Sequence, residues 1–216
     1  MNLLIKNYLP VGVSNLLKGP IIGVLALQGD FEEHCAVFHR LGYQTREIRT
    51  TSELNGIDGL VIPGGESSAV AILESTLPNI GVEDIGMFEA IKKAVSKGLP
   101  TWGTCMGSIV LAKNIEDSGQ GRIGLMDITV RRNAFGPQKF SAEEWLDIPL
   151  LGKEPFHAVY IRAPLYVKAG KQVQVLAKAH GGFVMARQEN MLITCFHPEI
   201  SNDTRVHEYF IKMVKD

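Results

Sequence analysis

An α/β fold is what this 216-residue chain predicts: three layers, with a mostly parallel central sheet covered by helices on both faces. Three observations carry the prediction. Short, unbroken apolar runs recur, each bounded by glycine or proline and each long enough for one strand buried on both faces. Amphipathic stretches at helical spacing separate them, in the order β, α, β, β, α, β, α. From Ile123 onward the pattern changes to short strands with turn residues between them, which reads as an antiparallel extension along one edge of the sheet.

"IIGVLAL", Ile21 to Leu27, is the first of the buried strands, set between Gly-Pro and Gln-Gly-Asp. In "DFEEHCAVFHRLG" the residues Phe31, Cys35, Val37, Phe38 and Leu41 fall close to helical spacing, and Gly42 is a natural stop. "YQTREIRT" alternates as a strand, and "IDGLVIPGG" is a second buried strand running into glycines. "AVAILEST" begins a helix, and "LPNIGVED" is loose. "IGMFEAIKKAVSKGLP" is an amphipathic helix closed by Gly98 and Pro100. "TWGTC" is the next strand end and "SIVLAKNI" the helix after it. "NDTRVHEYFIKMVKD" closes the chain as a helix capped by Asn202 or Asp203.

Nothing in this pattern marks a boundary between domains. Residues 1–20 are expected to form a loosely held extension, and residues 21–216 a single domain. The extension carries Lys6 and Lys18 and no acid, but Pro10 and Gly12 break its apolar run and no cleavage site follows, so it does not read as a cleaved signal. Lys and Arg (22) almost balance Asp and Glu (23), for a net charge of −1, which leaves no basic footprint for nucleic acid or an anionic membrane. No apolar run approaches the roughly 20 residues that span a bilayer. Cys35, Cys105 and Cys195 are an odd number with no metal-site spacing, so the reading is free thiols in a reducing, cytoplasmic setting, with no metal and no cofactor.

Ligands of open parallel sheets bind beyond the carboxyl ends of the strands, and two glycine turns, "PGGES" and "GTCMG", belong on that rim. The second has the form G-x-C-x-G, in which small flanking residues permit a cramped strand-to-helix turn that exposes the side chain. A thiol there gains from the helix dipole, so Cys105 is a candidate nucleophile. Such a thiol usually needs a base, and the base an orienting group. "CFHPE" supplies both: His197 and Glu199 are two apart, so in an extended segment they point the same way, and Pro198 discourages a helix. Gly65 and Met106 are the expected amide donors of an oxyanion hole. Taken singly these features are bland: a packing cysteine, loop material, a turn with a helix cap at Ser67. Arg132 and Arg162 by themselves are ordinary surface cations. Joint presence is what points to chemistry.

In order along the chain, "GVLALQGDFEEH", "GLVIPGGESS", "WGTCMGSIVLA", "RRNAFG", "YIRAP" and "FHPEISNDTRVHEYF" resemble the class I (triad) glutamine amidotransferases, which have a flavodoxin-like sheet. More narrowly, "LQGDFEEH", "GGES" and "IRAP" resemble the glutaminase subunits of pyridoxal 5′-phosphate synthase. The resemblance implies hydrolysis of L-glutamine to glutamate and ammonia through a γ-glutamyl thioester, with Cys105 attacking, His197 shuttling the proton and Glu199 orienting His197. It implies that Gly65, Glu66, Ser67, Arg132, Ile161 and Arg162 hold the glutamine. It also implies a synthase (lyase) partner subunit, a dodecameric core decorated by glutaminase subunits, and coupling of docking to the oxyanion hole through Gln28 and His34. The chain departs from the family in Met106, where alanine is usual, and in Pro137, where arginine is usual. Three alternatives stand beside this reading: an amidotransferase subunit of another pathway, a docking subunit impaired beside Met106, or a cysteine hydrolase on a similar sheet.

Overall fold

The computed structural model describes residues 19–65, 86–116, 118–119, 121–132, 134 and 141–216. The expected helix over "AVAILEST" lies outside these residues. In chain order the strands are β1 (Ile21–Leu25), β2 (Gln44–Ile48), β3 (Gly59–Ile62), β4 (Thr101–Thr104), β5 (Ala112–Ile115), β6 (Met126–Arg131), β7 (Ser141–Leu146), β8 (Phe156–Ile161), β9 (Leu165–Ala169), β10 (Gln174–Ala179), β11 (Gly182–Gln188) and β12 (Met191–Thr194). The α-helices are α1 (Phe31–Arg40), α2 (Met87–Ser96), α3 (Met106–Leu111) and α4 (Arg205–Lys215).

One sheet runs β2-β1-β3-β4-β12-β11-β9-β6-β5, with β10 paired to β11. Its first five strands are parallel, and from β12 onward the pairing turns antiparallel until β5, which is parallel to β6. The buried apolar runs thus became the parallel half, and β6, β9, β10 and β11 the antiparallel extension; β12, expected in that extension, instead pairs parallel to β4 because its chain returns beside that central strand. β7 and β8 form a separate antiparallel pair.

Strand alternation shows that helices cover both faces. Trp102 of β4 packs against His207 and Phe210 of α4, and Phe38 of α1 packs on Phe210, so α1 and α4 share one face. Gly103, one residue on, faces the other way and lies against α3: a Cβ on it would sit 2.6 Å from the backbone of Gly107. A Cβ on Gly107 would in turn collide with the carbonyl oxygen of Ile62 in β3. These two glycines bring α3 down onto the sheet at backbone contact, and that proximity sets the height of Cys105.

α1 forms where the spacing requires it, burying His34, Cys35, Val37 and Phe38, with Glu32 and Glu33 in its first turn and His39 and Arg40 in its last, as the helix dipole favours. It stops at Gly42, whose φ of 83° suits glycine. Two expectations need correction. "SIVLAKNI" is not one helix: α3 ends at Leu111, and Ala112–Ile115 pairs with β6 as an edge strand, burying Ala112 and Ile115 and exposing Lys113 and Asn114. Pairing with β6 overrides the local helical pattern there. Neither Asn202 nor Asp203 occupies the cap position of α4, which is Thr204; Asp203 nevertheless accepts the backbone N–H of Arg205 at 3.1 Å.

Replacing Gly107 by alanine is expected to lower stability by about 1–3 kcal/mol, the usual cost of overpacking. Denaturant unfolding of G107A beside the parent protein checks this, with an unchanged midpoint as the contrary result.

Candidate active site

Cys105 stands between β4 and α3 with φ 46° and ψ −107°. For a residue other than glycine such a backbone costs about 1–3 kcal/mol and persists only where its surroundings hold it. Here the Cys105 N–H donates to the carbonyl of Thr194 (2.8 Å), while its own carbonyl accepts from the hydroxyl of Ser108 (2.6 Å). The in-register pairing of Thr104 with Thr194 sets the ends of β4 and β12 side by side. His197, three residues past β12, therefore arrives on the same rim.

His197 and Glu199 meet as expected: Nδ1 of His197 is 2.6 Å from Oε1 of Glu199, and both residues are buried. The local conformation differs from the expected extended one. Pro198–Ile200 is a single 3₁₀ turn with Pro198 at its start, where a missing N–H costs nothing. Gly64 ties His197 to Cys105, since a Cβ on it would lie 2.5 Å from Cε1 of His197 and 3.3 Å from Cβ of Cys105. The thiol of Cys105 is 3.8 Å from the carbonyl oxygen of Ile161, and His197 N–H donates to Val159, so β8 closes another side of the site.

The remaining expected residues fall as follows. Gly65 lies against the side-chain amide of Gln28, which a Cβ at that position would displace. Met106 is buried, and its side chain lines a small apolar cavity with Leu25, Ile62, Phe88 and Val110. Its bulk is taken up by the core. Arg162 follows Ile161 at the end of β8 with φ 47°. Arg132 follows β6, and β12, β11 and β9 lie between β6 and β4, so strand pairing alone does not bring it to the Cys105 rim. Glu66 and Ser67 lie outside the described residues. Cys35 and Cys195 are buried free thiols, as read.

Sequence reasoning missed Asp30. Its carboxylate approaches Nδ1 of His197 at 3.2 Å, so the imidazole faces two acids. The glycine turn after β1 makes this possible, because Gly29 (φ 81°) packs so close to Gly64 that a Cβ would strike the Gly64 carbonyl. Only the "QGD" that follows the first strand could have signalled it. Asp30, His197 and Glu199 also offer ligand atoms within 4.8 Å of one another. Their hydrogen bonds to each other already use Nδ1, so the cluster reads as a device for holding a proton.

Electrostatics agree. Burial is the largest influence on His197 and acts downward, yet the neighbouring Asp30, Cys105 and Glu199 overcome it and push its pKa well up. The hydrogen bond to His197 holds Asp30 low. Burial drives His34 and His207 down to about 3, so both stay uncharged.

Similarity to known proteins now defines the class. Over 90% of this chain and 99% of its own length, a solved structure described as a glutamine amidotransferase superposes with a TM-score of 0.80 at 41% identity. A second, a glutamine amidotransferase of Thermotoga maritima, gives a TM-score of 0.56 at 15% identity over 92% of this chain and 83% of its own, and so shares the fold. Residues 24–216 match the SNO glutamine amidotransferase family, to which the chain belongs. Among its relatives are the proteins named pyridoxal 5′-phosphate synthase subunit PdxT of Carboxydothermus hydrogenoformans (49% identical, covering 89% of this chain and 97% of that one) and of Fervidobacterium nodosum (46%, covering 91% and 98%).

Stability is expected to peak near pH 6.5. Below it, His34 and His207 bind protons only when unfolded, so stability falls with acid at up to about 1.4 kcal/mol per pH unit for each. Above it, His197 binds a proton more tightly when folded, and stability falls as pH rises. Thermal unfolding at pH 5.0, 6.5 and 8.0 checks the maximum; a midpoint at pH 5.0 equal to that at 6.5 would contradict it.

Proposed function

We propose that this protein is the glutaminase of a pyridoxal 5′-phosphate synthase, hydrolysing L-glutamine to L-glutamate and ammonia. The observation that carries the reading is the convergence of a strained Cys105 and a buried, hydrogen-bonded His197–Glu199 pair on Gly64. The Cys105 sulfur attacks the side-chain amide carbon of glutamine. His197 gives a proton from Nε2 to the departing nitrogen, which leaves as ammonia, and a γ-glutamyl thioester remains. Water, deprotonated by the same nitrogen, then cleaves the thioester and restores the thiol. Glu199 keeps Nδ1 of His197 protonated throughout.

The backbone N–H groups of Gly65 and Met106 are assigned to the oxyanion, each worth about 3 kcal/mol in the transition state. Met106 is the first residue of α3, where an N–H has no acceptor within the helix. Glu66, Ser67, Ile161, Arg132 and Arg162 are assigned to the substrate: an acid suits the α-ammonium, and arginine suits the α-carboxylate. Ile161 has support from its carbonyl beside the Cys105 thiol. The docking-only alternative loses its motive, since the Met106 side chain lies in the core.

Relatives named as synthase subunits support a synthase subunit as partner and recipient of the ammonia. The ring-stacked dodecameric core and a cytoplasmic location complete the proposal. Three buried free thiols fit a reducing compartment, and among the described residues no helix is long and apolar enough to cross a membrane.

Glutamate release from L-glutamine, measured with and without a pyridoxal 5′-phosphate synthase subunit, tests the function. Release that rises with the partner and drops at least roughly 1,000-fold in Cys105→Ala is expected. No release with the partner demonstrably bound would overturn it.

A further inference from the structure

We propose that His207 and His34 form a buried hydrogen-bonded chain that ends on Glu199 and fixes the tautomer of His197, making His34 a positioning residue for the glutaminase reaction. The proposal rests on the reading of Cys105, His197 and Glu199 as the reacting groups.

The starting point is the second oxygen of Glu199. Oε1 is engaged by His197, while Oε2 is buried and makes no hydrogen bond of good geometry among the described residues. The polar group facing it is Nε2 of His34, at 3.4 Å and fully buried. A bare nitrogen there would set a lone pair against a buried carboxylate, so Nε2 of His34 must carry the proton. The hydroxyl of Thr104, 3.3 Å away, shares it.

Nδ1 of His34 is then bare and must accept, and Nε2 of His207 lies 3.1 Å from it. That places the His207 proton on Nε2 and leaves Nδ1 of His207 bare. This nitrogen is buried and has no hydrogen-bond partner among the described residues, as expected of an acceptor, whose isolation is tolerated more readily than that of an N–H. One pattern of protons thus sets a donor against an acceptor at each contact of the series.

The rings are held by aromatic packing on the α1–α4 face. Trp102 meets His34 edge-on with ring centres 5.2 Å apart and His207 at 4.8 Å, and Phe38 meets His207 at 5.0 Å. Charge does not enter the chain: burial keeps both imidazoles neutral, with Glu199 and Asp30 favouring a proton on His34, His197 and His207 opposing it, and Arg40 opposing one on His207. With His197 on one oxygen of Glu199 and the His34 N–H facing the other, the carboxylate stays turned toward Nδ1 of His197, which retains its proton, and Nε2 is left to exchange its proton with Cys105.

The test compares His34→Leu, His34→Gln and His207→Phe with the parent chain, each bound to the synthase subunit. His34→Gln keeps an N–H that can reach Glu199, and His207→Phe keeps the aromatic packing if His34→Leu fails to fold. In the resting parent protein, ¹⁵N shifts of labelled histidines are expected to show His34 and His207 as Nε2–H tautomers, a readout that does not depend on turnover. His34→Leu and His207→Phe are expected to lower kcat roughly 10- to 100-fold with KM for glutamine unchanged. His34→Gln should recover much of the rate. An Nδ1–H tautomer of His34, or a folded His207→Phe with parental kcat, would overturn the proposal. A parent protein that turns over no glutamine would overturn the proposed function instead, with the tautomers still deciding the chain.

Discussion

The approach of α3 to the sheet is the constraint on which the site depends. A helix can begin directly after β4, with its second residue touching β3, only if no side chain lies between the two backbones. Gly103 and Gly107 supply that gap, and Cys105 between them is forced to a positive φ. The strain is held by the β4–β12 ladder and by Ser108, that is, by groups already committed to the fold. The nucleophile's position therefore costs stability locally and is retained by the core around it.

A second consequence follows from burial. Glu199 has a side chain with no exposed surface, and a polar group in such a place needs partners. His197 is hydrogen-bonded to one oxygen and His34 faces the other, and the same contacts orient the base. Asp30 adds a second acid at the rim, where its side chain is 39% exposed. The site thus holds its charges by opposing burial with hydrogen bonds, the arrangement expected of groups that must exchange protons at neutral pH. It also couples function to stability, because the histidines that serve the site uncharged are those that acid turns against the fold.

The loop after β1 joins these two halves. Gly29 packs on Gly64, Gln28 lies on Gly65, and Asp30 reaches His197, so one short turn touches both the proposed oxyanion donor and the base. α1 continues from it and carries His34 into the layer beneath Glu199. Any partner that shifted this turn would act on both at once.

Local chemistry in the chain determined much of this. Unbroken apolar runs define strands buried on both faces, glycine at Gly103 and Gly107 permits an elbow, and a proline between His197 and Glu199 still allows the pair to meet; each depends on steric rules operating over a few residues. What needed the tertiary structure depended on distant segments. Ala112–Ile115 became a strand because β6 offers a pairing edge, and Ile161 reached the thiol because β8 hydrogen-bonds to His197. Asp30, His34 and His207 joined the site because strand pairing and helix packing bring together residues far apart in the chain. Sequence alone could name the groups that react, since their types and spacing are set by chemistry. Only the fold decided which buried partners hold them, since any polar side chain at the right depth could have served.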